Sequence, residues 1–223
     1  MGTPSPMRTL LLASRKGGAG KTTLALHLGV IFGTRSNVLL IDADEQASAS
    51  AWYRMRTADH PRLVACSPRQ VRDVLTVAAA EGIELAIIDT AGKAEVEHMM
   101  RLADFVLIPV RTAFLDLDAV ARTVQSVHEL GKLGAIVLNC APSPRGAGEA
   151  SLTNAARIAL TAYRLPVAPG AIVNRFIFAT ALASGEVASE QEPAGKAARE
   201  MHRLADYVEK ALWPAHHLSA LTS

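Results

Sequence analysis

The stretch Ser14-Arg15-Lys16-Gly17-Gly18-Ala19-Gly20-Lys21-Thr22-Thr23 follows the apolar run Leu10 to Ala13 and leads straight into an amphipathic segment. A strand, a glycine-rich turn and a helix in that order form a context that binds anions. Gly17, Gly18 and Gly20 can take backbone angles that aim successive amides at an anion, and the helix behind them adds its positive end. A polyphosphate would be wrapped by the backbone from Gly17 through Ala19 and Gly20 to Thr23. Lys21 is placed to reach the β and γ phosphates, the Thr22 hydroxyl to ligate Mg²⁺, and Thr23 to donate to the α phosphate.

Outward from this loop, compact apolar runs alternate with longer amphipathic segments, the pattern of repeated βα units. Strands are expected at Thr9 to Ala13, Asn37 to Ile41, Leu63 to Cys66, Leu85 to Ile88, Phe105 to Val110, Ala135 to Asn139 and Val167 to Ala171. Helices are expected at Lys21 to Phe32, Ala47 to Arg56, Pro68 to Ala80, Glu95 to Leu102, Asp116 to Leu130, Glu149 to Tyr163, Phe178 to Ala183 and Gly195 to Leu212. Ser67-Pro68 reads as a helix start, with Ser capping and Pro in the first turn. Half of the 223 residues are hydrophobic and only 4% aromatic, which suits helices packed on both faces of a sheet. The fold expected is α/β: a doubly wound, mostly parallel sheet with helices on both faces. One domain spans 1–223, with a core of about 8–212 and tails at 1–7 and 213–223.

Lys16 sharpens the reading. Lys16-Gly17-Gly18-Ala19-Gly20-Lys21-Thr22-Thr23 resembles the deviant Walker A box of the ParA/MinD family of P-loop ATPases. The resemblance implies that Lys16 reaches across an ATP-dependent homodimer to the partner's nucleotide. A second cation at the γ phosphate would stabilise both the dimer and the charge that develops during transfer. It also implies ATP or ADP with Mg²⁺ as the bound species, with Lys16, Lys21 and Asp44 carrying the chemistry.

Asp42-Ala43-Asp44-Glu45-Gln46 resembles the family's DxDPQ segment, with Glu45 in place of Pro. Glu45 adds a negative side chain and removes a backbone constraint. By resemblance Asp44 orients the attacking water and, with Gln46, forms a first switch, while Asp42 supports the metal's outer shell; a helix cap is the other reading of Asp44. The apolar run Leu85 to Ile88 ends in Asp89-Thr90-Ala91-Gly92, which reads as a Walker B. Asp89 would hold Mg²⁺ through water, and Thr90 and Gly92 would form a second switch.

Ala103 to Val110, Leu115 to Ala119 and Trp52 resemble the small ParF-type partition ATPases, and the resemblance runs from Leu10 to about Leu212. No amino-terminal helix-turn-helix extension is expected. Asn139 and Arg175 fall where relatives line the base, although a core-edge Asn and a surface Arg read equally well. Lys196, Arg199 and Arg203, spaced i, i+3, i+7, share one helix face and resemble the family's region for nonspecific DNA; a solvated charged face is the alternative. Glu200 and Asp206 temper that face. A second basic stretch holds Arg54, Arg56, Arg62, Arg69 and Arg72.

The formal charge of +2 decides nothing about nucleic acid. Cys66 and Cys140 lack metal-ligand spacing and are expected to be reduced thiols. The tail from Trp213 has no Lys or Arg, so no membrane helix is expected, and His216 and His217 read as a frayed end. The expected location is cytoplasmic, nucleoid-associated when ATP is bound. Three functions remain open: a DNA-partition ATPase stimulated by a ParB- or ParG-like adaptor, a positioner of a protein cargo, and a P-loop metabolic enzyme, against which Lys16 argues.

Overall fold

Seven apolar runs form a single sheet in the computed structural model, which describes residues 6–91, 95–146 and 148–214. In chain order the elements are β1 (Arg8–Leu12), α1 (Lys21–Gly33), β2 (Val38–Ala43), α2 (Ser48–Tyr53), β3 (Arg62–Ala65) and α3 (Val71–Ala80). Then come β4 (Leu85–Thr90), α4 (Val96–Leu102), β5 (Phe105–Arg111), α5 (Phe114–Glu129), β6 (Leu133–Ala141) and α6 (Ser151–Leu160). The chain continues through β7 (Val167–Val173), α7 (Phe176–Ala183), α8 (Ala188–Gln191) and α9 (Lys196–Leu212). The strand order is β3-β2-β4-β1-β5-β6-β7, and every pairing is parallel.

The inner strands are apolar on both faces because both faces are covered. One layer packs Leu10, Leu12, Leu40 and Ile87 against α1 and α9; the other packs Leu11, Ile41, Ile88 and Val106 against α3, α4, α5 and α6. Helix α1 is not the amphipathic segment expected after the loop: it is apolar nearly all round and is buried without a break from Leu24 to Phe32, because the sheet covers one side and α9 the other. It lies close to the sheet because of Gly29, where a Cβ would stand 2.8 Å from Leu40 Cδ2. Helix α9 covers α1 with Met201, Leu204, Ala205 and Val208.

Several element ends differ from the sequence expectation. Helix α2 is shorter than Ala47 to Arg56, since Ala47 is left-handed (φ 51°) and the chain leaves the helix early, carrying Arg56 back under its own Trp52. The segment from Pro68 begins as a 3-10 turn, with Ser67 N and Oγ both donating to Gln70 Oε1 before α3 proper. Helix α6 starts at Ser151 and ends in a 3-10 turn at Thr161–Tyr163. Helix α8, four residues long, was too short to leave a periodic signal.

Short α8 is nonetheless a junction. Trp52 Nε1 donates to Glu186 O at 3.1 Å, and Arg56 donates to Gly185 O while pairing with Glu190 at 2.8 Å. On the other side, His27 of α1 donates from Nδ1 to Thr23 O at 2.7 Å and accepts the Ala188 amide at Nε2, 3.1 Å away. One imidazole can serve both only as the neutral Nδ1-H tautomer. Burial lowers the His27 pKa to about 4, against the raising pull of the Thr23 carbonyl and Glu190.

A depressed histidine pKa favours the fold while the ring is neutral. That stability is complete above the ordinary value of 6.5 and is lost as pH falls through the interval down to about 4. The loss amounts to about 3 kcal/mol. Urea unfolding of the parent and of His27→Asn between pH 7 and 4 should show this component as a difference in slope. Parallel curves would place the imidazole's two hydrogen bonds outside the stability of the fold.

Candidate functional site

Strand order places the chemistry. Strand β4 lies between β2 and β1, so the carboxyl ends of these three strands are adjacent, with Asp89 paired in register to Asp42 on one side and to Leu12 on the other. The chain departs from β1 towards β2 but crosses back to β5, so the crevice at β1 is the topological switch point where open sheets take ligands.

At that crevice Gly18 and Gly20 are both left-handed (φ 72° and 93°), and Gly20 starts α1 with no side-chain cap. The first amides of α1 are therefore left for an anion, and no acid stands in the first turn. Lys21 is buried, and Thr22, Thr23 and Lys16 are half-buried. Thr90 Oγ1 donates to Leu12 O at 3.3 Å, tying the end of β4 to the loop strand.

The two β2 carboxylates differ. Asp42 is buried and accepts both Ser50 N (2.8 Å) and Ser50 Oγ (2.6 Å), so it holds α2 in place. Asp44 is half-buried and accepts Gln46 N at 2.9 Å in a turn that ends before α2 begins. Gln46 and Glu45 are exposed. Asp89 is 2% exposed, and neither of its oxygens has a hydrogen bond of good geometry among the described residues. Burial pushes its carboxyl up to about 7; the nearby Thr22 hydroxyl and the Lys21 ammonium pull it down, while Asp42 and Asp44 push it up. The expected switch residue Gly92 lies outside the described residues, as do His216 and His217.

The residues expected around a base and a DNA backbone sit on the β6–β7 side of the sheet. Asn139 is 4% exposed, and its Nδ2 donates to Ala19 O at 2.8 Å. Arg175 pairs with Glu200 Oε1 at 2.6 Å beside a cleft of about 350 Å³ that Pro142, Thr153 and Arg203 also line. Lys196, Arg199 and Arg203 lie on α9, all three exposed. Glu200 does not temper that face: it is 9% exposed and turned inward, accepting Val173 N at 3.1 Å as well as Arg175. Asp206 remains exposed beside the three cations. The second basic stretch is split, because Arg56 is turned inward and Arg62 is paired with Glu81, leaving Arg54, Arg69 and Arg72 exposed.

Sequence reasoning passed over Ser50, His27 and the triad in which Arg15 donates to Glu97 (2.7 Å), which also accepts Ser126 Oγ (3.1 Å). Only His27 had a local signal, four residues after Thr23 on one helix face. The others are joined across elements.

A family model described as the CobQ/CobB/MinD/ParA nucleotide binding domain matches residues 10–187. The chain is 32% identical over 148 residues to Maintenance of carboxysome distribution protein A of Gloeobacter kilaueensis, covering 64% of this chain and 67% of that one. It is 26% identical to Protein IncC of Escherichia coli over 91% of this chain and 69% of that protein. Among solved structures, an ATP complex of Cyanothece McdA superposes with a TM-score of 0.71 at 20% identity, covering 93% and 97% of the two chains, a likeness of fold.

Asp89→Asn should raise the stability of the nucleotide-free protein at pH 8 by about 2 kcal/mol, since it removes a buried charge whose desolvation outweighs the pull of the Thr22 hydroxyl and the Lys21 ammonium. A raised carboxyl pKa means that this cost is complete above about 7 and disappears towards the ordinary 3.8, so the gain should shrink as pH falls. Thermal melts of both proteins at pH 8 and 5 read it. A variant less stable than the parent at pH 8 would contradict the assignment.

Proposed function

The chain belongs to the CobQ/CobB/MinD/ParA nucleotide-binding family, and we propose that it is an ATPase that dimerises around ATP and Mg²⁺ to move a cargo over DNA. The observation that carries this reading is the pairing of a complete phosphate loop, with Lys16 ahead of it, and a buried carboxylate whose oxygens have no hydrogen bond of good geometry among the described residues.

Thr22 and Asp89 are hard oxygen donors beside Lys21, a set that fits Mg²⁺ better than a softer metal. Among the described residues no three His, Cys, Asp or Glu side chains cluster to hold a metal by themselves. That fits an ion held jointly with phosphate oxygens and water. Asp89 would bind it through water and Asp42, held by Ser50, would support the outer shell. Bound there, Mg²⁺ supplies charge neutralisation at the β and γ phosphates. Lys21 binds the same oxygens, the loop amides from Gly17 to Thr23 orient the phosphates, and Asp44 holds the attacking water. Lys16 completes the partner's site, so hydrolysis waits on dimerisation and acts as a timer.

Arg175 with the adjacent cleft is the proposed side of the base. The α9 face of Lys196, Arg199 and Arg203 is the proposed seat of nonspecific DNA, which two copies hold better than one through effective concentration. The first cargo reading is plasmid or chromosomal DNA attached through a ParB- or ParG-like adaptor that stimulates hydrolysis. The second, a protein cargo, is favoured by the 32% identity to a carboxysome distribution protein. Both use the same nucleoid-bound dimer. Among the described residues no helix is long and apolar enough to cross a membrane.

Light scattering should show a monomer without nucleotide or with ADP, and a dimer with Mg-ATP. Asp44→Ala should keep that dimer and slow hydrolysis at least about tenfold; loss of ATP binding would instead make Asp44 a purely structural turn residue.

The ATP dimer, unlike the monomer, should bind DNA of any sequence with an affinity that falls steeply with salt. Arg199→Glu should weaken this for all sequences alike, lowering the log–log salt slope by about 1 per contact, without changing ATP uptake. A dimer that ignores DNA at low salt would remove the DNA track from both cargo readings.

A further inference from the structure

We infer that Asn139 is a positioning residue for the phosphate loop, acting through its backbone, and not a reader of the base. The inference rests on the nucleotide-binding reading above and assigns a step within it.

Three observations converge on this side chain. Its Nδ2 donates to the Ala19 carbonyl at 2.8 Å from a buried position at the carboxyl end of β6. A carbonyl only accepts, so the amide must present its NH₂ and not its oxygen to the loop. The same nitrogen lies over Gly20, where a Cβ would stand 2.1 Å away, so only glycine leaves room for it. Lastly, the strand is distorted at this point: Cys140, directly after Asn139, is left-handed (φ 49°), and the β6–β7 register shifts between Leu138 and Ala141. A bulge of this kind re-aims a side chain, and a left-handed non-glycine persists only where its surroundings enforce it.

The consequence follows from the peptide unit. Ala19 C=O and Gly20 N–H belong to one planar trans peptide and point in opposite directions. Holding the carbonyl towards β6 therefore holds the Gly20 amide away from β6. Asn139 thus fixes the orientation of a loop amide that would donate to phosphate, and it does so from a strand two places away from the loop strand in the sheet. The left-handed Gly20 (φ 93°), which has no side-chain cap of its own, has its preceding peptide set by a neighbour.

The test uses two ligands that share the phosphates and differ in the base: Mg-ATP and Mg-tripolyphosphate. Binding is measured by calorimetry for the parent, Asn139→Ala and Asn139→Leu. Leu matches Asn closely in shape and carries no charge but cannot donate, so it separates the hydrogen bond from packing without repelling the phosphates. If Asn139 sets the loop, both variants lose about tenfold in affinity for both ligands, as expected for one hydrogen bond, and the ATP-to-tripolyphosphate ratio stays that of the parent. A merely structural role would lower the melting temperature and leave both affinities of the folded protein unchanged, which would overturn the inference. Weaker ATP binding with unchanged tripolyphosphate binding would also overturn it, in favour of a base contact. A parent that binds neither ligand would overturn the nucleotide reading itself, and this inference with it.

Discussion

Asp89 is buried because β4 lies between β2 and β1, and the parallel register brings its carboxylate level with Asp42 and with the last residue of the loop strand. Its oxygens have no hydrogen bond of good geometry among the described residues, and the cation that acts on it, Lys21, is held at the start of α1. A buried charge whose desolvation outweighs the pull of the groups beside it is costly to the protein by itself. The cost is tolerated where a cation and its water arrive with the ligand, and strained electrostatics of this kind cluster at functional sites. The loop, Asp42 within β2, Asp44 just after it and Thr90 at the end of β4 all depend on that strand order.

Around this centre, neighbouring elements are tied by few and identifiable links. Arg15 joins the loop to α4 and α5 through Glu97 and Ser126. Asp42 joins β2 to α2 through Ser50, and α2 in turn is joined to the 185–191 segment through Trp52 and Arg56. His27 closes the circuit from that segment to Thr23.

The far edge of the sheet carries a different economy of charge. Turning Glu200 inward lets a single carboxylate satisfy the end of β7 and Arg175 together, and it removes an acid from the α9 surface. The helix face is therefore more basic than its composition suggests. Arg56 shows the reverse, a cation that composition places on the surface and packing takes inside, stacked on Trp52 at 5.0 Å.

The sequence by itself determined the fold class and the place of the glycine-rich turn between β1 and α1. Apolar runs buried on both faces, and a glycine-rich turn between a strand and a helix, are local patterns with one economical solution, and all seven strands fell within a few residues of their expected places. What it could not carry were pairings between distant positions. That Asp42 would be held by Ser50, that Asp89 would be buried without a well-formed hydrogen bond among the described residues, that Glu200 would turn inward and that Asn139 would lean on Ala19, 120 residues earlier in the chain, depend on which strands lie side by side and where β6 bulges. Side-chain direction at a strand end is set by tertiary packing and not by residue type, so only the assembled sheet decided it.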